Sequence, residues 1–379
     1  MDKRACSGCT ACMSVCSHEA ITMKPDALGF LYPEADADKC VDCGLCDSVC
    51  SFVIPPERAE GFPESYLVRH KKASEVRKSK SGAAFVALSD VILNEGGSVY
   101  GARLNANYLV EHDSATTPTE RDSFRGSKYI QSDLRGVFGK VRSDLLGGRK
   151  VLFSGTPCQV AGLKSFISPR LSGNLYLVDV LCHGVASPAV WADYLKRIEK
   201  RKGKGIIRCI PRNPEFGWEN CVDSFILDDG TQYDSDYFSG YVYHKWITQR
   251  WSCGACPFTS LNRVSDVTLG DAWGAGRIAP DFDRDNAGSS LVLINSKKGR
   301  SLFASAEGSM LTVPVDIRDM MQPVMQHPTP LHPKRQAFEN AYAAYGFKYS
   351  RLIYLNDTYT SAKSAFLRSL RRIKRILVK

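Results

Sequence analysis

The stretch VLFSGTPCQVAGLKSFI, residues 151–167, decides the fold. It begins with a short apolar run typical of a buried strand, passes through a Gly-Thr-Pro turn, and continues as a helix that begins near Cys158. The stretch NLYLVDVLCHG repeats this design, with another apolar strand that ends at Cys182 and a helix that begins near Pro188. Strands that alternate with helices predict an α/β layer structure with its chemistry at the carboxyl ends of the strands.

Four cysteines around these strands predict a metal centre. The motif WSCGACPF holds Cys253 and Cys256, which are only two of the four thiolates that an iron–sulfur cluster needs. Because Cys158 and Cys182 follow successive strands, we expect them at the same sheet edge, where the four cysteines would hold a [4Fe–4S] cluster. Two alternatives stay open: Cys158 as a nucleophile with His183 as its base, and cysteines that act only as small buried apolar residues.

The first 55 residues contain an internal duplication. The spacing C-x2-C-x2-C-x3-C begins at Cys6 and again at Cys40. This is the run of bacterial ferredoxins, in which the fourth cysteine of each copy ligates the other copy's cluster; zinc knuckles are the alternative. Ser17 and Ser51 stand where the run usually has Pro, which removes no ligand. The run predicts one [4Fe–4S] cluster on Cys6, Cys9, Cys12 and Cys50, and a second on Cys40, Cys43, Cys46 and Cys16.

The composition is that of a globular protein with several domains. The chain has 379 residues, 44% of them hydrophobic and 24% charged, and no apolar run approaches the roughly 18 residues of a membrane span. The start, MDKRACSGCT, has no apolar signal-peptide core, so we predict a cytoplasmic protein. In a reducing compartment, clustered cysteines indicate metal rather than disulfides. Cys209 and Cys221 lie in a less distinctive stretch, and we interpret them as structural.

Most of the net charge of +10 lies in the C-terminal tail. Residues 361–379 contain seven basic residues and no acidic one, so the rest of the chain is only mildly basic and we predict no nucleic-acid binding. Phe366, Leu370, Ile373 and Leu377 have the spacing of one helical face. This pattern is typical of an amphipathic helix on an anionic membrane, here the inner face of the cell membrane. The alternative is a helix that packs on the body of the protein or on a partner.

Five motifs occur in a fixed order along the chain. They are RGSKYIQS (125–132), VLFSGTPCQVAGL (151–163), LVDVLCHGVASPAVW (177–191), the C-x2-C pair, and VSDVTLGDAWG (264–274). With them the sequence resembles a known family, the beta subunits of coenzyme F420 hydrogenases and dehydrogenases. This family also includes 7-hydroxymethyl chlorophyll a reductase and bacterial relatives encoded with surface-polysaccharide genes. The resemblance covers roughly residues 1–275.

The resemblance implies an FAD- and iron–sulfur-dependent oxidoreductase. In such a protein the flavin exchanges a hydride with an organic substrate or a deazaflavin coenzyme, and passes single electrons to clusters. The expected fold class is α/β. The predicted segments are a two-cluster ferredoxin-type α+β domain over 1–55, a linker over 56–75, a flavin and iron–sulfur domain over 76–330, and a helical extension with a basic amphipathic tail over 331–379.

The flavin site is expected around two loops and the strand ends. The loop KSKSGAAF precedes a helix, whose N-terminus can meet a phosphate, although the family often has a second Gly where this chain has Ala83. Lys128 and His183 are the candidate catalytic residues; a solvated lysine and a loop histidine are the alternatives. The candidate flavin contacts are Ser79, Ser81, Gly82, Ser127, Lys128, Tyr129, Gln131, Ser132, Thr156, Gln159 and Asp271.

Three functions remain open from the sequence. The first is a reductase or dehydrogenase with three [4Fe–4S] clusters and FAD, whose redox partner is a ferredoxin, a deazaflavin coenzyme or a partner subunit. A link to surface-polysaccharide biosynthesis rests on analogy alone. The second function is a non-catalytic electron-transfer subunit. The third is a C-terminal region that has lost its redox function and only binds a partner, against which the four retained cysteines argue.

Overall fold

The computed structural model describes residues 2–59, 61–282 and 285–355. The tail helix predicted over 361–379, with its membrane contact, lies outside these residues. Within the described part, no helix has the length and apolarity to cross a membrane. The strands are β1 (Ile21–Pro25), β2 (Leu31–Ala35), β3 (Glu64–His70), β4 (Ser98–Leu104), β5 (Val110–Ala115), β6 (Val151–Gly155), β7 (Leu175–Val180), β8 (Ile206–Ile210), β9 (Asp223–Leu227), β10 (Gln232–Ser235), β11 (Val267–Asp271), β12 (Ser290–Ile294) and β13 (Met310–Val315). The helices are α1 (Ala11–Val15), α2 (Leu45–Ser48), α3 (Ala73–Ser79), α4 (Ala84–Asn94), α5 (Pro118–Arg121), α6 (Val137–Leu146), α7 (Pro157–Phe166), α8 (Pro188–Lys202), α9 (Lys297–Ala306) and α10 (Arg335–Ser350).

An eight-stranded sheet forms the centre of the molecule. Its strand order is β13-β3-β12-β11-β7-β6-β4-β5. The four strands β11, β7, β6 and β4 are parallel, and the outer strands join them in antiparallel pairs. The predicted α/β fold class is confirmed. Two smaller sheets accompany it: the hairpin β1-β2, and β10-β9-β8.

Helices cover both faces of this sheet. Alternate residues of one strand point to opposite faces, so Leu152 packs against α4 and α9, whereas Phe153 packs against α6 and α7. Because both faces are covered, the central strands are continuous apolar runs rather than alternating ones; all five residues of β12 are buried.

The structure differs from the predicted linker over residues 56–75. The last three residues of that range begin α3, and its middle forms β3, which pairs with β12 on one side and with β13 on the other. Of its seven residues, Ser65, Leu67, Val68 and His70 are buried. Pro55, Pro56 and Pro63, a cluster typical of a linker, all precede the strand. Residues 64–70 therefore belong to the central sheet.

The N-terminal module, residues 2–55, packs on the rest of the protein through the turn between β1 and β2. Leu28 and Phe30 are completely buried in a large aromatic cluster with Trp191 of α8. Ser187, the residue before α8, donates from its hydroxyl to the Leu28 carbonyl at 2.6 Å. The module is therefore held in one position by apolar packing and a buried hydrogen bond.

The loop before α4 has an unusual backbone. Lys80 and Ala83 have positive φ values, 54° and 61°. A side chain with a Cβ atom is disfavoured there by about 1–2 kcal/mol, and Gly is not. This explains in physical terms why Gly suits position 83 and why Ala83 is strained.

We expect Ala83→Gly to leave the free energy of unfolding unchanged or higher, because relief of strain offsets the loss of a buried methyl group. Ala87→Gly, inside α4, is the matched control and should lower it by about 1 kcal/mol. Anaerobic urea unfolding of the cofactor-loaded protein measures both. Equal destabilisation by the two substitutions would contradict strain at Ala83.

Candidate functional site

Three parallel strands bring the predicted chemistry to one sheet edge. β6 is followed by Cys158 in the first turn of α7, and β7 by Cys182 two residues after its end. β11 ends at Asp271. Since β6, β7 and β11 are parallel neighbours, their carboxyl ends meet at the same edge. This is the site that parallel α/β sheets commonly use for binding.

The start of α7 fixes the direction of Cys158. Thr156 precedes the helix, and its backbone N–H donates to the Gln159 side-chain oxygen at 2.9 Å. Pro157 occupies the first helical position, where no backbone donor is needed. The Thr156 hydroxyl lies 3.2 Å from the Cys158 sulfur. These contacts point the thiol out from the helix start.

The C-x2-C pair is pinned against the loop that follows β7. Cys253 lies in a short 3-10 helix, and Arg250, the residue before that helix, donates from its backbone N–H to the Val185 carbonyl at 3.1 Å. Gly184 has φ of 113°, and a Cβ atom there would lie 3.3 Å from the Cβ of Cys253. Gly184 therefore provides both the backbone conformation and the space for the pair.

One cavity collects the four cysteines: Cys158, Cys182, Cys253 and Cys256 all line it. Burial, together with a smaller contribution from neighbouring thiols, raises the pKa of Cys253 to about 11 and that of Cys256 to about 12. Four buried thiols are unfavourable as free thiolates, whereas iron stabilises them as ligands, so this donor set fits an iron–sulfur cluster. No three or more His, Cys, Asp or Glu residues of the described ranges form a site for a single metal ion.

The nucleophile alternative for Cys158 fits the structure poorly. Burial raises the pKa of its thiol, partly opposed by the Thr156 hydroxyl and by Arg250. An activated cysteine needs a lowered pKa and access to solvent. Cys158 instead faces three other thiols.

The N-terminal cysteines differ in exposure. Cys9 and Cys12 are partly or wholly enclosed, and burial raises the pKa of each to about 12. Cys6 and Cys50 of the first predicted set, and Cys46 of the second, all raise the pKa of Cys12, so these thiols lie near one another. Cys40 and Cys43, from the predicted second cluster, are exposed. The second cluster site therefore lies at the surface, and the first lies against the body of the protein.

A close approach joins the first cluster site to the cavity. Gly162 of α7 faces Cys9, and a Cβ atom at position 162 would lie 2.6 Å from the Cys9 sulfur. The Cys9 thiol is also close enough to Cys158, which lies one turn before Gly162 on α7, for Cys158 to raise the pKa of Cys9. Only Gly at position 162 permits this packing.

We expect Gly162→Ala to displace Cys9 and to disturb the first cluster, because the added methyl group overlaps the sulfur. Iron content should fall by up to about four per chain, and the EPR spectrum of one reduced cluster should change. Gly139→Ala in α6 is the control, since a Cβ atom there meets nothing within 4 Å. Identical iron and spectra in both variants would refute the close approach.

Arg212 connects several of the predicted flavin residues. Its guanidinium donates to Ser127 at 3.3 Å and Asp271 at 3.5 Å, and lies 5.7 Å from the centre of the Tyr129 ring. Its Nε atom is buried and has no hydrogen-bond partner. A buried cationic donor with an unused N–H fits an anionic or carbonyl-bearing cofactor, as FAD is.

Two tryptophans extend this group of residues. The Arg212 group thus consists of Ser127, Tyr129, Arg212, Trp218, Asp271 and Trp273. The rings of Trp218 and Trp273 stack with centres 4.4 Å apart, and the Trp218 indole N–H donates to Asp271 at 3.3 Å. Trp273 remains 45% exposed. The sequence prediction missed Arg212, Trp218 and Trp273, because no spacing in the sequence links the end of β8 to the end of β11.

The predicted phosphate loop adjoins the tryptophans. A Cβ atom on Gly288 would lie 2.6 Å from Trp218 and 3.1 Å from the backbone of Ser81. Gly82 packs against β3 and β12. A Cβ atom added at this position would lie 2.0 Å from the Val68 carbonyl oxygen. Ser79 lies at the end of α3 and accepts from Arg125 at 3.1 Å.

The two candidate catalytic residues lie in different surroundings. The Lys128 ammonium donates to the carbonyls of Ser123 at 3.0 Å and Arg125 at 2.9 Å, and desolvation lowers its pKa to about 7. His183 lines the cysteine cavity. Burial lowers the pKa of His183, and Asp271 partly opposes this.

Gln131 and Ser132 lie away from the Arg212 group. Gln131 lines the cysteine cavity and donates to the Ser7 carbonyl at 2.8 Å, which ties the N-terminal module to the body. Ser132 is buried, and its hydroxyl lies 2.5 Å from His112 Nδ1 in the interior. Thr156 and Gln159 also line the cysteine cavity rather than contacting Arg212.

Comparison with known proteins identifies the class. Residues 5–54 match the 4Fe-4S dicluster domain. The protein is thus an iron–sulfur protein with a 4Fe-4S dicluster domain at its N-terminal end. Residues 148–316 match the family described as the C terminus of the coenzyme F420 hydrogenase/dehydrogenase beta subunit. The predicted resemblance to that family, with a two-cluster N-terminal domain, is confirmed.

The proteins similar to this chain include a polypeptide of a dehydrogenase and a chain of a hydrogenase complex. The F polypeptide of the F(420)H(2) dehydrogenase of Methanosarcina mazei is 23% identical over 195 residues, 47% of this chain and 53% of that protein. The chain thus matches about half the length of this relative. A chain of the F420-reducing [NiFe] hydrogenase complex from Methanosarcina barkeri aligns with a TM-score of 0.47 and 17% identity, over 78% of this chain and 92% of that one.

Proposed function

We propose that the protein is an iron–sulfur flavoprotein oxidoreductase with three [4Fe–4S] clusters and one FAD. It exchanges electrons with a redox partner at one end and a hydride with an organic substrate or a deazaflavin coenzyme at the other. The observation that carries this proposal is the cavity lined by Cys158, Cys182, Cys253 and Cys256. Residues 5–54 match a 4Fe-4S dicluster domain, whose clusters would exchange electrons with a cluster held by these four cysteines.

The three cysteine sets form a series from the surface inward. The second set contains the exposed Cys40 and Cys43. Cys46 of the same set lies close enough to Cys12 of the first set to raise the pKa of Cys12. The first set reaches the cavity through the approach of Cys9 to α7. This order supports a surface position for the redox partner. The relative's name, which describes one subunit of a dehydrogenase, supports a partner subunit but not its position.

The Arg212 group is the proposed flavin site. FAD would supply the conversion between two-electron hydride chemistry and one-electron transfer. Arg212 and Ser127 would hold its polar groups, and the loop around Ser81 its phosphates. His183 is neutral because burial lowers its pKa. It lines the cysteine cavity and lies close enough to Asp271 of the Arg212 group to feel the charge of that carboxylate. It would accept or donate a hydrogen bond between the two sites.

The alternative is a non-catalytic electron-transfer subunit, which would hold the clusters without exchanging a hydride. The relative's name, which describes a subunit, is the observation that favours it. The exposed Trp273 beside Asp271 favours the catalytic proposal, since it offers an aromatic surface to a second ring. A role in surface-polysaccharide biosynthesis stays a prediction.

Iron analysis of the anaerobically purified protein tests the third cluster. Three cubanes predict about twelve irons per chain, and Cys253→Ser should remove about four of them. Cys209→Ala is the control, because Cys209 is buried in the aromatic cluster away from the cavity. If Cys253→Ser retains all the iron, the four-cysteine assignment is wrong.

Flavin release on denaturation tests the Arg212 site. We expect about one FAD per chain in the unmodified protein, and a loss of affinity on the order of tenfold or more in Arg212→Met, because a charged hydrogen bond is worth about 1.5–3 kcal/mol. Arg208→Met, on the exposed side of β8, should retain the flavin. Equal flavin content in the two variants would place the flavin elsewhere.

A further inference from the structure

Arg250 lies at the junction between the N-terminal module and the cysteine cavity. Its side chain is 1% exposed. Nε donates to the Cys6 carbonyl at 2.8 Å, and one Nη donates to Gln131 at 2.8 Å. The other Nη donates to the Leu31 carbonyl at 2.9 Å and lies 3.6 Å from the Cys6 sulfur. The guanidinium therefore contacts a ligand of the first cluster directly.

This arginine differs from the other deeply buried arginines. Arg263 pairs with Asp179 at 2.8 Å, and Arg335 pairs with Glu339 at 3.0 Å. Among the described residues, no carboxylate lies within ion-pair distance of Arg250; its charged plane faces the ring of Tyr32 at 4.1 Å. A buried charge without a counter-ion is strongly destabilising, so a negative group is needed nearby.

Cluster thiolates surround Arg250 on both sides. Cys6 belongs to the first set, and Arg250 lines the same cavity as Cys158 and Cys253 of the third set. The Arg250 carbonyl also accepts from the Cys253 backbone N–H at 3.1 Å. Arg250 thus lies between ligands of two predicted cluster sites, Cys6 on one side and the cavity cysteines on the other.

We propose that Arg250 is a positioning residue that serves as the common counter-ion of the first and third clusters and raises the reduction potential of both. The inference rests on the proposed function, because it assumes that both cysteine sets hold clusters. Reduction adds negative charge to a cluster. A fixed positive charge in a low-dielectric interior, together with a hydrogen bond to a ligand sulfur, stabilises that reduced form.

The test is an anaerobic redox titration of the full chain followed by EPR spectroscopy, on Arg250→Met and Arg250→Lys. In Arg250→Met, the midpoint potentials of the first and third clusters should shift to lower values. The midpoint potential of the second cluster, at the exposed site, should stay unchanged. Arg250→Lys keeps the positive charge, so its midpoint potentials should stay close to those of the unmodified protein. Unchanged potentials for all clusters in Arg250→Met would overturn the proposal.

Arg335→Met is the matched control. Arg335 is equally buried and lies 4.8 Å from the Trp251 ring, but its charge is paired with Glu339. This variant should lower stability without moving any midpoint potential. An equal shift in both variants would mean that the potentials report general loosening of the fold, which would also overturn the proposal.

The two proposals fail in different ways. If the unmodified protein contains about eight irons and no flavin, the proposed function fails, and the titration still tests Arg250 on the first cluster through Cys6. If the unmodified protein contains about twelve irons and Arg250→Met leaves the potentials unchanged, only the role of Arg250 fails. Should Arg250→Met not accumulate as folded protein, the same titration on Arg250→Gln, which keeps hydrogen bonding without charge, decides between charge and structure.

Discussion

The parallel pairing of β6 with β7 is the constraint on which the rest of the structure depends. In this register Phe153 lies beside Leu177, so the two strands end together and their following residues meet at one edge. Cys158 and Cys182 therefore arrive at the same place from different parts of the sequence. A parallel pair requires a crossover, and α7 provides it while also presenting Cys158 at its first turn.

The second feature is how closely the N-terminal module approaches this edge. Apolar burial of Leu28 and Phe30 holds the module in place, and Gly162 removes the side chain that would otherwise keep Cys9 away from α7. Electron transfer depends on short separation between centres, which a flexible linker would not maintain. The fold instead places the first cysteine set next to the cavity, whose lining includes Ser7 and Phe52 of the N-terminal module, with Arg250 as the polar contact between them.

Exposure separates the two N-terminal sites although their cysteine runs are identical in spacing. Cys40 and Cys43 are exposed, whereas Cys9 and Cys12 are partly buried. The difference arises from docking and not from local sequence. It leaves part of the second cysteine set at the surface and places the first set nearer the interior.

The sequence by itself determined the elements and their chemistry. Apolar strands before Cys158 and Cys182, the duplicated ferredoxin run and the α/β class all follow from local spacing and periodicity, which neighbouring residues enforce directly. Only the tertiary structure decided that residues 64–70 form an inner strand and that Arg212, Trp218 and Trp273 gather around Asp271. It also decided that Arg250 lies between two cysteine sets. These depend on contacts between residues far apart in the chain, and no local pattern records which distant strand or loop a buried side chain will meet.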